Sequence, residues 1–341
     1  PAALRPLRPV RLGPRLLLAA LILLAGAWAA AALYFGGEPP GPLRTALAIG
    51  MAALTLVGFV AMLAGSGVRP LGGAWVLAFA ATLVWFFSLQ ASNDRVWAPE
   101  LAETPWAEIE GNRVTIHNVR NFRWLSATTF EPHWETRTYD LDAIRSVDLI
   151  SVYWMGPQIA HTMVSFGFAD GQHLAVSIEI RREADEAFSA IAGFFRRYDL
   201  IYVVGDERDL IGLRTHYRKD PPESVYLYRT KVSKESVRRL FLDYLREINA
   251  LHEKPAFYNT GTTNCTTNVY RHTKVNPGPH RFSWKILLSG YAPEFVYENG
   301  NLDTRIPFDE LRRRSLVNPV AEAAGLGPDF SRRIRADLPS P

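Results

Sequence analysis

The chain is organised around YNTGTTNCTTNVYRH, residues 258–272, which contain its only cysteine, Cys265. Small polar side chains surround this cysteine, and apolar residues at helical spacing follow it. Asn and Thr just before such a segment are typical N-caps, so the pattern predicts that Cys265 lies in or near the first turn of a helix. Because a helix N-terminus carries partial positive charge, it lowers the pKa of a thiol there and favours the nucleophilic thiolate.

The apolar residues are unevenly distributed along the 341 residues. Three nearly continuous apolar runs, at 16–35, 45–64 and 71–90, each have about the length needed to cross a bilayer as a helix. The first run is long, and two more follow it closely, which favours a membrane span over a cleaved signal peptide. The sequence therefore predicts a membrane anchor over residues 1–97 and a globular domain over 98–341.

Charge predicts the orientation of this anchor. Arg5, Arg8, Arg11 and Arg15 precede the first span without an acidic residue among them, which by the positive-inside rule places the N-terminus in the cytoplasm. Three crossings then place the globular domain outside the cytoplasm, which in a Gram-negative bacterium is the periplasm. The net charge of +4 is too small to indicate a nucleic-acid partner. Because of the three apolar runs, the expected partner is the inner membrane.

An oxidising compartment favours paired cysteines, and a single cysteine has no internal partner. Cys265 is then either buried and inert or kept for its reactivity. Its polar neighbours are not those of a core residue, and this favours reactivity.

Residues 160–180 alternate as two strands joined at Asp170-Gly171, which predicts a hairpin with Gly171 in the left-handed bulge position. In that register His161 lies opposite Glu179, and a one-residue slip would separate them. Residues Val164, Phe166 and other apolar side chains form one face. The opposite face, with His161, Ser165, Ser177, Glu179 and Arg181, is predicted to border a cleft. His173 lies near the turn, about 20 Å from His161, and orients it only if the hairpin is distorted.

Further periodic patterns predict the remaining elements. Helices are expected over 183–198, 234–254 and 308–314, and strands over 148–154, 200–204 and 225–228. The charged segment 205–217 is expected to be a solvated or salt-bridged loop. Neither a phosphate-binding glycine loop nor a zinc signature occurs, so we expect neither a cofactor nor a metal.

Cysteine catalysis needs a thiolate, a base and a group that orients the base. Cys265, His161 and Glu179 supply these three residue types. Backbone N–H groups at the helix terminus, with Asn264 as a further donor, can hold an oxyanion. Thr266 and Ser177 are the other predicted supporting residues of the site.

Several motifs together resemble the Lnb N-terminal periplasmic domain family: RNFR at 120–123, WETRTYDL at 134–141, IAHTMVSFGF at 159–168, SIEIRRE at 177–183, FYN at 257–259 and TNCTT at 263–267. The resemblance covers about residues 110–310. It implies an α+β fold, a circularly permuted NlpC/P60-like (papain-like) domain with an antiparallel sheet, in which the His strand precedes the Cys helix. It also implies Cys265 as nucleophile and His161 as base.

The family includes lipoprotein N-acyltransferase activity, which passes an acyl chain to the N-terminal amine of a lipoprotein through a thioester. The resemblance therefore implies a thiol acyltransferase whose partners are a phospholipid or lipoprotein acyl ester and a lipoprotein amine. Since a fold does not fix a substrate, a cysteine amidase or peptidase acting on cell-wall peptide is the alternative. A third alternative is a non-enzymatic, membrane-anchored binding module in which Cys265 is structural and lies far from His161.

Overall fold

The computed structural model describes residues 12–64, 68–279 and 281–340, and the chain divides into two compact units. The first contains the described residues up to Gln90 together with Ser189–Tyr198. The second contains Ala91–Phe188 and the described residues from Asp199 onward.

The first unit is built from helices α1 (Leu12–Phe35), α2 (Pro42–Ala64) and α3 (Val68–Ser88). All three are long and apolar enough to cross a membrane, with mean hydropathies of 2.5, 2.3 and 1.7. They lie over the segments predicted at 16–35, 45–64 and 71–90. Of the arginines that predict the orientation, Arg5, Arg8 and Arg11 lie outside the described residues.

The second unit is a mixed α+β domain around a mostly antiparallel sheet. Its strands are β1 (Trp106–Glu110), β2 (Arg113–Arg120), β3 (Arg123–Trp124), β4 (Phe130–Glu131), β5 (Trp134–Asp140), β6 (Ile144–Tyr153), β7 (His161–Phe168), β8 (His173–Arg181), β9 (Asp199–Gly205) and β10 (Ser224–Arg229). Its helices are α4 (Glu207–Gly212), α5 (Lys234–Glu253), α6 (Cys265–Thr273), α7 (Trp284–Leu287), α8 (Ala292–Glu298), α9 (Phe308–Arg314), α10 (Asn318–Ala324) and α11 (Phe330–Arg333).

The strands of the main sheet follow the order β1-β2-β9-β8-β7-β6-β10, and β5 also pairs with β2. Neighbours along this order are antiparallel except β2 and β9. β3 and β4 form a separate small sheet. The predicted α+β class with an antiparallel sheet is confirmed; its descent from a permuted NlpC/P60-like fold stays a prediction.

Helices cover both faces of the sheet. On one face, Val164 and Phe166 of β7 pack against Phe241 and Tyr244 of α5. On the other face, apolar residues of β6, β7 and β10 pack against α4, α10 and α11. As a result every residue of β7 is buried, which places this strand at the centre of the domain.

The hairpin of β7 and β8 has the predicted register: Met163 pairs with Ser177 and Ser165 with Ala175. Gly171 has the positive φ, +86°, that the predicted bulge requires. The prediction that the whole polar face borders a cleft is wrong, because Ser165 is fully buried beneath Glu207 and Arg335. The cleft side of the hairpin is limited to its end at His161.

Two other predictions are corrected. Residues 183–198 form no α-helix, only a single turn of 3₁₀-helix at Ala192–Phe194. Part of this segment instead packs on the ends of α1 and α3, and this packing outweighs the helical spacing of its apolar residues. Segment 205–217 is helical and mostly buried rather than a loop, but its charges are salt-bridged as predicted: Asp209 is fully buried in an ion pair with Arg120.

Candidate active site

Cys265 is the first residue of α6, and Asn264 is the N-cap. The Asn264 side chain accepts a hydrogen bond from the Thr267 N–H at 2.9 Å, and the Thr267 hydroxyl accepts one from the Asn264 N–H, also at 2.9 Å. This reciprocal capping box fixes where the helix begins. The thiol therefore lies at the positive end of the helix dipole, as the sequence predicts.

Asn264 has a different role from the one predicted for it. Its side-chain oxygen serves the cap, and its side-chain N–H donates to the Thr260 carbonyl at 2.8 Å. The cap uses the N–H of Thr267, and in the described part of the chain the backbone N–H of Cys265 has no partner. That backbone N–H is the better placed oxyanion donor, because the first N–H groups of a helix have no intrahelical acceptor.

His161 begins β7 and is nearly completely buried, and two groups of β8 contact its Nε2. The Ser177 Oγ lies 2.7 Å and the Glu179 Oε1 3.1 Å from this nitrogen. The Ser177 hydroxyl donates to Glu179 at 2.6 Å, so it must accept from His161. Nε2 therefore carries a proton, which leaves Nδ1 of the neutral imidazole as the basic nitrogen.

Cys265 and His161 lie close enough for each to shift the pKa of the other. Burial by itself raises the pKa of the Cys265 thiol, but the hydrogen bond and charge of His161, the Thr162 N–H and the Thr266 hydroxyl outweigh it, so this pKa is lowered. Burial likewise lowers the pKa of His161, but the charge of Glu179 outweighs it and raises that pKa to about 9. Both shifts favour a thiolate–imidazolium pair near neutral pH.

Glu179 stays ionised in this environment. Burial opposes its ionisation, but the charge and hydrogen bond of His161, the charge of Arg214 and the Ser177 hydroxyl hold the pKa of Glu179 far below its ordinary value. Arg214 lies 3.4 Å from the Glu179 carboxylate and 3.0 Å from that of Glu223. Oε1 of Glu179 thus contacts both His161 and Arg214.

Sequence reasoning missed two residues of this site. Arg214 belongs to the segment predicted as a solvated or salt-bridged loop, and the helical turn at Leu213–Tyr217 brings it to Glu179. Tyr258 packs against the same core cluster as Cys265, and its pKa is raised by burial and by the negative charges of Cys265 and Glu179. Tyr258 stands in the cysteine-containing stretch, but no spacing rule assigns it a role.

The other predicted residues have clear positions. The Thr266 hydroxyl contacts the buried Thr162 hydroxyl at 2.8 Å and lies 3.8 Å from the Cys265 sulfur, so it joins α6 to β7. His173 pairs with Gly167 next to the hairpin turn, and its Nδ1 contacts the Gly171 carbonyl, so it does not orient His161. In the described residues no group of His, Cys, Asp and Glu side chains could hold a metal ion.

Two cavities border the site. One, of about 400 Å³, lies behind α6 and is lined by Thr162, Thr266, Val269 and further, mainly aliphatic and aromatic side chains. The other, of about 540 Å³, is charged and includes Glu179 and Arg214. Both have the size of small-molecule binding sites.

Residues 130–290, which include Cys265, His161 and Glu179, match the family model described as the Lnb N-terminal periplasmic domain. No curated protein and no solved structure matched the chain in the corresponding comparisons. The periplasmic description of the family and the three apolar helices fit a membrane-anchored periplasmic protein of the inner membrane. The resemblance to the Lnb N-terminal periplasmic domain family is thus confirmed over residues 130–290.

Proposed function

We propose that the protein is a membrane-anchored periplasmic cysteine acyltransferase that works through a thioester on Cys265. The observation that carries this proposal is the contact of Cys265 at the start of α6 with His161, whose other ring nitrogen is fixed by Ser177 and Glu179. Nucleophile, base and orienting group are thus assembled in the order that thiol catalysis requires.

In the first half-reaction the Cys265 thiolate attacks the carbonyl carbon of an acyl ester and forms a C–S bond. The carbonyl oxygen becomes an oxyanion next to the Cys265 N–H at the helix N-terminus. Collapse of the intermediate breaks the ester C–O bond, and the His161 imidazolium gives its proton to the departing alkoxide. The products are a Cys265 thioester and an alcohol.

In the second half-reaction a lipoprotein N-terminal amine attacks the thioester. A C–N bond forms, the C–S bond breaks, and neutral His161 takes the proton that the amine loses. The thiolate–imidazolium pair is thereby restored. No step requires a redox or metal cofactor to balance.

The surroundings of the site support a lipid ester as acyl donor. Thr162 and Thr266, which both act on the Cys265 thiol, also line the 400 Å³ cavity. Ile286 of α7 lines it, whereas Phe282 and Trp284 beside it are 62% and 55% exposed. Exposed apolar groups at the edge of an apolar cavity favour a ligand with hydrocarbon chains.

We also propose that the N-terminus is cytoplasmic, as the arginines before α1 predict, so that the domain faces the periplasm. Anchoring by three helices keeps the enzyme in the same membrane as its lipid substrate, which raises their effective concentration.

The alternative, an amidase or peptidase that acts on cell-wall peptide, is favoured by the charged cavity at Glu179 and Arg214. Its polar lining suits a peptide better than a hydrocarbon chain. The binding-module alternative predicts that Cys265 and His161 lie far apart, and the effect of each on the pKa of the other speaks against it.

The test is intact-mass analysis of the full-length protein in diacyl phospholipid nanodiscs, before and after addition of a lipopeptide with a free N-terminal amine. We expect acyl-Cys265 before the amine is added, N-acylated lipopeptide afterwards, and neither product with Cys265→Ala. Product formation by Cys265→Ala would exclude the thioester mechanism. Cleavage of a cell-wall peptide without acyl transfer would favour the amidase.

A further inference from the structure

The connection between β8 and β9 leaves the globular unit and joins the helical one. Its residues Ser189–Tyr198 cluster with α1–α3, although the segment lies far from these helices in sequence. The Phe195 ring stacks on that of Phe35, the last residue of α1, with 6.0 Å between ring centroids. The Gly37 N–H donates to the Arg196 carbonyl at 3.2 Å. The segment therefore packs on the C-terminal end of α1.

The same segment also binds the C-terminal end of α3. The Arg196 guanidinium donates to the carbonyls of Phe86, Phe87 and Leu89 at 3.2 to 3.4 Å, and it lies 5.0 Å from the ring centroids of Phe86 and of Phe87. An arginine suits this position, because the last carbonyls of a helix lack intrahelical donors and carry partial negative charge. Between the C-terminal end of α1 and that of α3 the chain crosses the membrane twice, through α2 and α3. Both ends therefore lie on the same side of the membrane.

The segment leaves large apolar side chains exposed at this level. Ile191, just before the single 3₁₀ turn, is 58% exposed, and Phe194, its last residue, is 48% exposed. Arg197, which donates to the Gly37 carbonyl at 3.0 Å, supplies a second cation at the same helix ends. Apolar side chains next to arginines that can reach the head groups are the composition of a membrane-interface element.

We propose that Ser189–Tyr198 is a membrane-interface element, with Ile191 and Phe194 inserted into the outer leaflet beside the ends of α1 and α3. Its partner is the lipid surface, because the segment is continuous with helices that are long and apolar enough to span that bilayer. Insertion of such a segment reaches about 5–10 Å into the boundary between head groups and acyl chains. This proposal does not depend on the acyltransferase chemistry.

The single native cysteine makes the test direct. In a Cys265→Ala background, one new cysteine at a time carries a nitroxide label in the full-length protein, reconstituted in phospholipid nanodiscs. The labelled variants are Phe194→Cys, Ile191→Cys, Leu24→Cys in the middle of α1, and Leu125→Cys, an exposed leucine of the globular unit. Power-saturation spectra compare collisions with oxygen, which enriches in the bilayer, and with a water-soluble nickel chelate.

We expect the labels at 194 and 191 to favour oxygen at a shallow depth, the label at 24 to favour it at the greatest depth, and the label at 125 to favour nickel. Nickel accessibility at 194 and 191 equal to that at 125 would overturn the proposal. If position 24 also favoured nickel, the membrane anchor itself would be wrong, which distinguishes the two failures. Because two positions of the segment, 191 and 194, are labelled separately, a local disturbance by one label can be recognised.

Discussion

Glu179→Gln should uncouple the thiolate–imidazolium pair. The pKa of His161 is raised from 6.5 to about 9, which corresponds to a net stabilisation of the imidazolium of about 3 kcal/mol at about 1.4 kcal/mol per pKa unit. The only raising influences come from Glu179 and the Cys265 hydrogen bond, whereas burial and Arg214 both lower this pKa. Without the carboxylate charge, we expect the pKa of His161 to fall below its ordinary value and that of Cys265 to rise.

Alkylation by iodoacetamide measures this effect, because the chain has one cysteine and each mass gain reports Cys265 alone. At pH 6 we expect Glu179→Gln to slow alkylation, by roughly tenfold for each unit by which the thiol pKa rises above the assay pH, since each such unit removes about nine tenths of the thiolate. The midpoint of the pH profile should move to higher pH in the variant.

The matched control is Glu131→Gln, which removes an exposed carboxylate that pairs with Arg123 on the surface. Its profile should equal that of the wild type. An unchanged profile for Glu179→Gln, with the fold intact by circular dichroism, would refute the inferred coupling. An equal shift in both variants would mean that general charge, and not the contact with His161, sets the thiol pKa.

Four further outcomes are expected. Ser177→Ala should slow alkylation less than Glu179→Gln, because Glu179 keeps its direct contact with the imidazole at 3.1 Å; a larger loss would contradict this order. Arg335→Met should lower the free energy of unfolding by about 3–5 kcal/mol, measured with urea, since it leaves buried Glu207 unpaired; a change within error would contradict it. Burial raises the pKa of Glu207, but Arg335 outweighs burial and lowers this pKa to about 2. The ionised Glu207 therefore stabilises the fold above about pH 4.5, and this contribution is lost as the pH falls towards 2. Glu207→Gln should flatten this part of the profile of unfolding free energy against pH. Val269→Phe fills the apolar cavity, so it should lower the rate of Cys265 acylation by a palmitoyl ester relative to an acetyl ester, by about fourfold for each methylene group excluded. The control Ile109→Phe, at an exposed position of β1, should leave this ratio unchanged.

Local patterns were sufficient to predict the elements that carry the site. Period-two alternation and Gly171 predicted the hairpin register, and this register brings His161 to Glu179. Asn264 before an apolar-periodic segment predicted the start of α6. In both cases the signal lies within a few residues of the group that it positions, so no tertiary contact has to be known.

The remaining features depend on distant contacts. Arg335 pairs with Asp148, which lies 187 residues away in sequence. Arg214 reaches Glu179 only because its segment is a buried turn. The apolar spacing of 183–198 is compatible with a helix, yet Phe195 packs on α1 and Ile191 is exposed. Periodicity records which residues are apolar, but it does not distinguish a helix face from a segment that packs on other helices.

Arg214 has two opposed effects on the site, and the proposed catalytic cycle explains why both are tolerated. Its charge lowers the pKa of His161, which weakens the imidazolium, and it also lowers that of Glu179, which keeps the carboxylate ionised. When His161 becomes neutral after protonating a leaving group, a buried carboxylate would lose its main partner, and an unpaired buried charge is costly. Arg214, held by Glu223, still pairs with Glu179 at that stage. The carboxylate therefore stays charged and oriented while the imidazole changes its protonation state.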